Sequence, residues 1–399
     1  MSEKPVSVMW ESTIACGLKC KHCKASAKTK PDPNELTTEE SFELIEQIAE
    51  FGKPYPVLRI TGGNALMRSD IFKLIKYSSE LGISTTIAPS TTPLLNRKNI
   101  EMLKEAGVDV VALSIDGKDR ATHDTFRGVD GTFGQLLKAS KIMRELNLPF
   151  RLLTTVTRFN AEQLPDIMEL AHKLGAKGWY LYMLIPTGRA KEEYALTPEE
   201  YEDIFNFIYD IMKEAPMVVN AIAGSEPYRR VAVLRRLVEK GDLGEDVLKQ
   251  GKLYTNLRER LSKVLDSYQE PEVVQSIGSY RAKNRNFGKG IFVAHESEVY
   301  PSSFLPIELG NVRDSTLKEI YSGAKILGDM QNTEMLKGKC RVCEFNDICR
   351  GSRSRAYAVT GDYLAEDPYC VYTPGEIEIP DVNKERILEE LRVTNFSRK

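Results

Sequence analysis

Seven cysteines carry the most explicit chemistry in this chain. Three stand within eight residues, as Cys16, Cys20 and Cys23 in "CGLKCKHC", and four stand near the far end, as Cys340, Cys343, Cys349 and Cys370. A secreted disulfide framework would need more cysteines in a shorter chain, so these clusters indicate metal binding or catalysis in a reducing compartment. A structural zinc site wants four ligands, and the first group supplies three thiols. His22 offers another donor, but its place beside Cys23 is poor for closing a tetrahedron. A cubane 4Fe–4S cluster fits better, because three thiolates bind three irons and leave the fourth open to a substrate. In the second group two residues separate Cys340 from Cys343, five separate Cys343 from Cys349, and twenty more lead to Cys370. Four ligands make a closed site, and by spacing alone zinc and iron–sulfur both remain open there.

Something must position these thiols. From residue 6 to about 186, short β-branched runs alternate with amphipathic stretches. The predicted strands are "VSVMW", "PVLRI", "ISTTIA", "VDVVALSI", "FRLLTTVT" and "WYLYMLI". Helical patterns separate them, the first with Thr37 and Glu40 at capping-box spacing. Gly82, Gly107 and Gly175 close three of these helices. Alternation at this spacing predicts right-handed β-α-β units and a parallel sheet. Six strands suit an open, partial (β/α)6 TIM-type barrel within an α/β fold. In parallel sheets chemistry gathers at the C-terminal strand ends, where the loop carrying the first three cysteines falls.

The expected organisation is a barrel over residues 1–190, a helical insertion over 191–285, a cysteine-bearing C-terminal domain over 286–375, and a polar tail over 376–399. The insertion shows helical patterns and no clear strand, and "GIFVAHESEVYPSSF" alternates like a hairpin. The 399 residues are 42% hydrophobic and 28% charged, with a formal net charge of -2. That balance fits a soluble protein and argues against a general nucleic-acid binder. No run of 18 apolar residues, positively flanked apolar start or lipidation signal is evident, so the expectation is a cytoplasmic protein with no membrane partner.

With the motifs in order, the chain resembles the radical S-adenosylmethionine (SAM) superfamily. The resemblance rests on C-x-x-x-C-x-x-C after the first strand, "TGGNA" (61–65) after the second, and "SIDG" (114–117) with "HDTFRGVDGTF" (123–133) after the fourth. "TTVTRFN" and "PTGR" follow at the fifth and sixth. It implies that Cys16, Cys20 and Cys23 ligate a 4Fe–4S cluster whose open iron chelates SAM. Reductive cleavage of SAM would then give a 5′-deoxyadenosyl radical that takes hydrogen from an unactivated carbon. It further implies that the backbone at Gly62 and Gly63 meets the methionine amino group, that Ser114 donates to the SAM carboxylate or ribose, and that Asp116 contacts the cofactor or forms a turn. A low-potential donor such as ferredoxin or flavodoxin would supply the electron. One departure stands out: Asn64 and Ala65 replace the family's acid and proline. An uncharged carbonyl there should bind the ammonium group of SAM more weakly.

The late cysteines resemble the auxiliary-cluster domains of the same superfamily, SPASM or the shorter twitch form. The full form holds two clusters, but Ser302 and Arg353 stand where its extra cysteines would be, which predicts one auxiliary 4Fe–4S cluster. The branch most similar in "CKHCKASA", "SEPYRRV" and "CEFNDICRGSRSRAYAVTGDYLAEDPYC" includes haem-biosynthesis enzymes that remove or decarboxylate acidic side chains of tetrapyrroles. Tyr228, Arg229, Arg230 and His295 are therefore candidates for substrate carboxylates or a haem iron, although a solvated helix face and a structural histidine account for them too. Two rivals stand beside this reading. One is a maturase of ribosomal peptides; the other is a non-catalytic iron–sulfur or zinc-binding protein, supported by Asn64 and Ala65.

Overall fold

A computed structural model of the chain describes residues 4–266 and 290–387. The expected boundary at 285/286 and the last part of the expected tail, 388–399, lie outside the described residues. Six strands lie where the sequence predicts them: β1 (Ser7–Glu11), β2 (Val57–Thr61), β3 (Thr85–Ile87), β4 (Val110–Ser114), β5 (Phe150–Val156) and β6 (Gly178–Met183). Each pairs in parallel with the next.

The sheet extends past both ends of that set. In the insertion, expected to be without strands, β7 (Val218–Ala221) pairs in parallel with β6. "VVNA" is too short to show period-two alternation, and only residues 215–217 separate it from the helix Pro198–Glu214, so the pattern hides it. The predicted hairpin forms from β8 (Gly290–Val293) and β9 (Glu298–Tyr300), and β10 (Gly310–Asn311) pairs with β9. β8 also pairs in parallel with β1, Ser7 against Gly290. Among the described residues one ten-stranded sheet runs β10-β9-β8-β1-β2-β3-β4-β5-β6-β7, eight of the strands parallel. The architecture is a partial barrel with a C-terminal domain grafted onto its first strand.

Helices cover the outer face. Thr38–Ala49 starts with the expected capping box, Thr37 and Glu40 satisfying each other's backbone N–H groups, and buries Leu44, Ile45 and Ile48. Pro198–Glu214 starts the same way from Thr197 and Glu200 and is buried along most of its length. Trp179 on β6 is fully buried, its indole N–H donating to Thr154 Oγ1 at 2.8 Å, so the polar atom of this large side chain is satisfied. No helix among the described residues is long and apolar enough to cross a membrane.

Candidate active site

The loop after β1 carries Cys16 and Cys20, both buried, and the half-buried Cys23. Backbone bonds anchor it on three sides. Cys16 N–H donates to Lys28 O (2.7 Å), Lys19 and Lys21 N–H to Arg127 O and Phe126 O (3.1 and 3.0 Å), and Arg189 N–H to Cys23 O (2.9 Å). Arg189 adds side-chain bonds to Cys20 O and Ala27 O at 3.0 and 3.1 Å. Each sulfur also accepts an N–H. Leu18 N–H lies 3.4 Å from Cys16 Sγ, Ala27 N–H 3.5 Å from Cys23 Sγ, and Arg127 Nη1 3.6 Å from Cys20 Sγ. Such donors stabilise a thiolate, the form that binds metal, although at Cys20 burial outweighs Arg127 and raises the thiol above its ordinary value.

Gly62 and Gly63 fix the second side. Gly63 N–H donates to Thr13 O and Asn64 N–H to Ala15 O, at 2.7 and 2.6 Å, so the turn after β2 clasps the cysteine loop. A Cβ on Gly62 would meet Thr13 O at 2.4 Å, and one on Gly63 would meet Ala15 O at 2.2 Å. The glycines are thus required by protein backbone, where the sequence suggested a ligand's approach. Asn64 also differs from expectation. It is fully buried; its Oδ1 accepts from Leu66 N–H and Ser90 N–H (3.3 and 3.2 Å), and its Nδ2 donates to Thr92 Oγ1 (3.1 Å). This amide caps a short 3-10 turn (Ala65–Met67) and does not line the cavity.

These elements enclose a cavity of about 240 Å³ lined by the three cysteines, Gly62, Gly63 and Ser114. Asp116 lies behind it, fully desolvated and ion-paired to Arg127 while accepting Thr155 N–H at 2.9 Å. Burial works against its charge, but the Arg127 guanidinium outweighs that and holds the carboxyl below the usual range. His22 lines the cavity too, stacked on Phe126 at 4.5 Å. Burial, helped by Arg127, pushes its imidazole down to about 4, so it is neutral at pH 7.

The cavity is strongly cationic. Arg59, Arg127, Arg151, Arg189 and Lys24 line it, and among the described residues no Asp or Glu does. Sequence reading missed Arg59 and Arg151, although a signal existed: each is a lone charge inside an apolar strand, "PVLRI" and "FRLLTTVT". Phe304, from the C-terminal domain, completes the lining.

The predicted substrate residues lie elsewhere. Tyr228 reaches Met212 Sδ (3.0 Å), Arg229 donates to Ile348 O (2.9 Å), and Arg230 pairs with Glu202 (2.8 and 2.5 Å) while lining a second cavity. His295 bonds through Nδ1 to Glu11 Oε1 at 2.8 Å, and Glu11 also holds Lys24 at 2.7 Å. Burial opposes charge on both partners. Lys24 and His295 nonetheless hold Glu11 at about 2, and the hydrogen bond to Glu11 lifts His295 above its ordinary value.

The second cavity, about 20 Å³, is lined by Cys340, Cys343, Cys349 and Cys370. Gly351 N–H and Asp367 N–H lie 3.4 Å from Cys349 Sγ and Cys340 Sγ, and Arg353 Nη2 lies 3.7 Å from Cys340 Sγ. Burial pushes the Cys343 thiol up to about 12. Ser302 Oγ lies 3.5 Å from Ser354 Oγ, while the Arg353 guanidinium turns to Tyr363 O and Ala365 O and to Cys340 Sγ. Among the described residues, neither cysteine group has three sulfurs within 4.8 Å of one another. Four sulfurs at about 2.3 Å from one zinc would sit closer than that.

A family model described as the Radical SAM superfamily matches residues 10–187. An AdoMet-dependent heme synthase from Methanosarcina barkeri is 34% identical over 94% of this chain and 99% of its own length. An Fe-coproporphyrin III synthase from the same organism is 30% identical over 94% of this chain and 90% of its own. Peptide cyclases stand further off, at 25% identity. Among solved structures, Streptococcus suis SuiB bound to S-adenosylmethionine superposes with a TM-score of 0.66 at 16% identity, covering 93% of this chain and 78% of that one.

Proposed function

This chain belongs to the radical SAM superfamily and is an enzyme closely related to those of haem biosynthesis, and from that premise we propose that it oxidises an acidic side chain of a tetrapyrrole. The family binds a 4Fe–4S cluster and SAM, which together supply a hydrogen-abstracting radical when bound. Cys16, Cys20 and Cys23 hold that cluster in this reading. Their N–H donors favour bound thiolate, and the spread of the sulfurs suits a cube. Gly62 offers backbone at the cavity wall and Ser114 a hydroxyl. Asp116 acts through Arg127, which it fixes beside Cys20. Cys340, Cys343, Cys349 and Cys370 hold one auxiliary cluster, with Ser302 and Arg353 standing where a second would need thiols. The closed geometry suits electron transfer or a structural staple.

The observation that carries the substrate reading is the cationic lining without a facing carboxylate, which favours a polyanionic substrate. Propionates on a flat, apolar ring match the arginines and Phe304 together. The test is anaerobic turnover of cluster-loaded protein with SAM, dithionite and iron-coproporphyrin III deuterated on its propionates. Deuterium in 5′-deoxyadenosine supports the reading. Unlabelled 5′-deoxyadenosine alone removes tetrapyrroles as substrate, and none at all leaves the non-catalytic reading.

A further inference from the structure

The cations of the active-site cavity divide by what already holds them. Lys24 is paired to Glu11, Arg127 to Asp116, and Arg189 to two backbone carbonyls. Arg59 is different. It is half-buried on β2 and lines the cavity, yet among the described residues it forms no ion pair, and its Nε is buried without a hydrogen-bond partner. A buried N–H left without an acceptor is costly until a ligand supplies one, and a carboxylate would also meet the charge of the guanidinium.

Its position gives that anion a place. Arg59 stands three residues before Gly62, so at about 3.3 Å per residue it sits roughly 10 Å below the mouth where the thiols gather. Arg151 enters the same cavity near the start of β5, its guanidinium carbon 4.9 Å from the Tyr180 ring centroid. Arg59 is in register with Thr86 and Arg151 with Ala112. Both neighbours are small and line the cavity between the two arginines. The floor is therefore open and positive, below a mouth that carries the thiols.

We propose that Arg59 and Arg151 form a carboxylate-binding floor that anchors one acidic side chain of the substrate, leaving the remainder of the molecule to rise toward the cysteine loop. The substrate class rests on the tetrapyrrole reading above; the floor itself rests on the lone guanidinium. Forked pairing would fix orientation as well as affinity, which a lysine would do less well.

The test is a titration of cluster-loaded enzyme, with SAM present, by iron-coproporphyrin III and by its tetramethyl ester, followed by absorbance. R59Q and R151Q should each bind the free acid about 10- to 100-fold more weakly, with R59K in between. Wild-type enzyme should disfavour the ester by at least as much, which decides the matter even where the glutamine variants fold poorly. Unchanged affinity in R59Q, or equal binding of acid and ester, would overturn the floor and leave the tetrapyrrole reading standing. A loss confined to SAM affinity, read by calorimetry, would overturn it as well, by assigning the arginines to the SAM carboxylate. Failure of wild-type enzyme to bind either tetrapyrrole would overturn both.

Discussion

The two cysteine sites use the same ligand atom and differ in what surrounds it. Around Cys16, Cys20 and Cys23 the chain leaves about 240 Å³ at the strand ends; around Cys340, Cys343, Cys349 and Cys370 it leaves about 20 Å³. Both rest on a buried arginine–aspartate pair, Arg127 with Asp116 and Arg355 with Asp367. The supports are alike, so the division of labour comes from ligand count and room. In the proposed reading, three thiols beside space leave a coordination position for a reactant. Four thiols without space leave none.

Breaking each site separately gives the largest contrast. Alanine at Cys16, Cys20 or Cys23 should lower 5′-deoxyadenosine formation by at least about 1,000-fold. Cys349→Ala should instead remove one cube's worth of iron while SAM cleavage persists. Mass spectrometry with iron and sulfide assays reads both, and loss of cleavage in Cys349→Ala would erase the contrast.

Next come the supports. Asp116→Ala leaves Arg127 buried without its partner, and Asp367→Ala does the same to Arg355; each should cost about 3–5 kcal/mol in denaturant titrations. Matching losses would show the two sites to be equally rigid. A smaller effect follows at the clasp between strands. Gly63→Ala forces a Cβ onto Ala15 O and should cost roughly 1–3 kcal/mol, with weaker iron retention at the first site alone.

The His295–Glu11 pair gives a pH signature. The folded imidazole holds its proton more tightly than its ordinary value of 6.5 allows. The pair's contribution is therefore complete below pH 6.5 and is lost as pH rises through the raised value. The melting-temperature gap between wild type and His295→Gln should narrow over that range, and a gap independent of pH would remove the ion pair as its cause. The smallest effect is expected from Asn64→Asp. Because Asn64 serves its own turn, SAM affinity should change by less than about threefold in calorimetry. A large gain would return this residue to the ligand.

These sites were legible in unequal measure. Cysteine spacing marked both groups because ligand number and reach are local properties of sequence. The six central strands were legible for a similar reason, since each carries its own apolar run between helix signals. β7 was not, because four residues are too few to display a period. Arg230 was misleading: its basic neighbourhood on Tyr228–Lys240 reads as a surface stripe, but its partner Glu202 lies on another helix. Arg59 and Arg151 show the converse. They were visible as charges within apolar strands, and only the barrel's curvature reveals that their faces share one cavity.

The pairing of β8 with β1 also sets an order of events in time. β1 meets β2 early, but its other edge stays open until Gly290 has been synthesised, about 230 residues later. At 5–20 residues per second that is roughly 10–50 s. Throughout that interval the loop with the first three cysteines hangs from a half-paired strand, without Phe304 over the cavity, accessible to whatever delivers iron and sulfide and equally to oxygen.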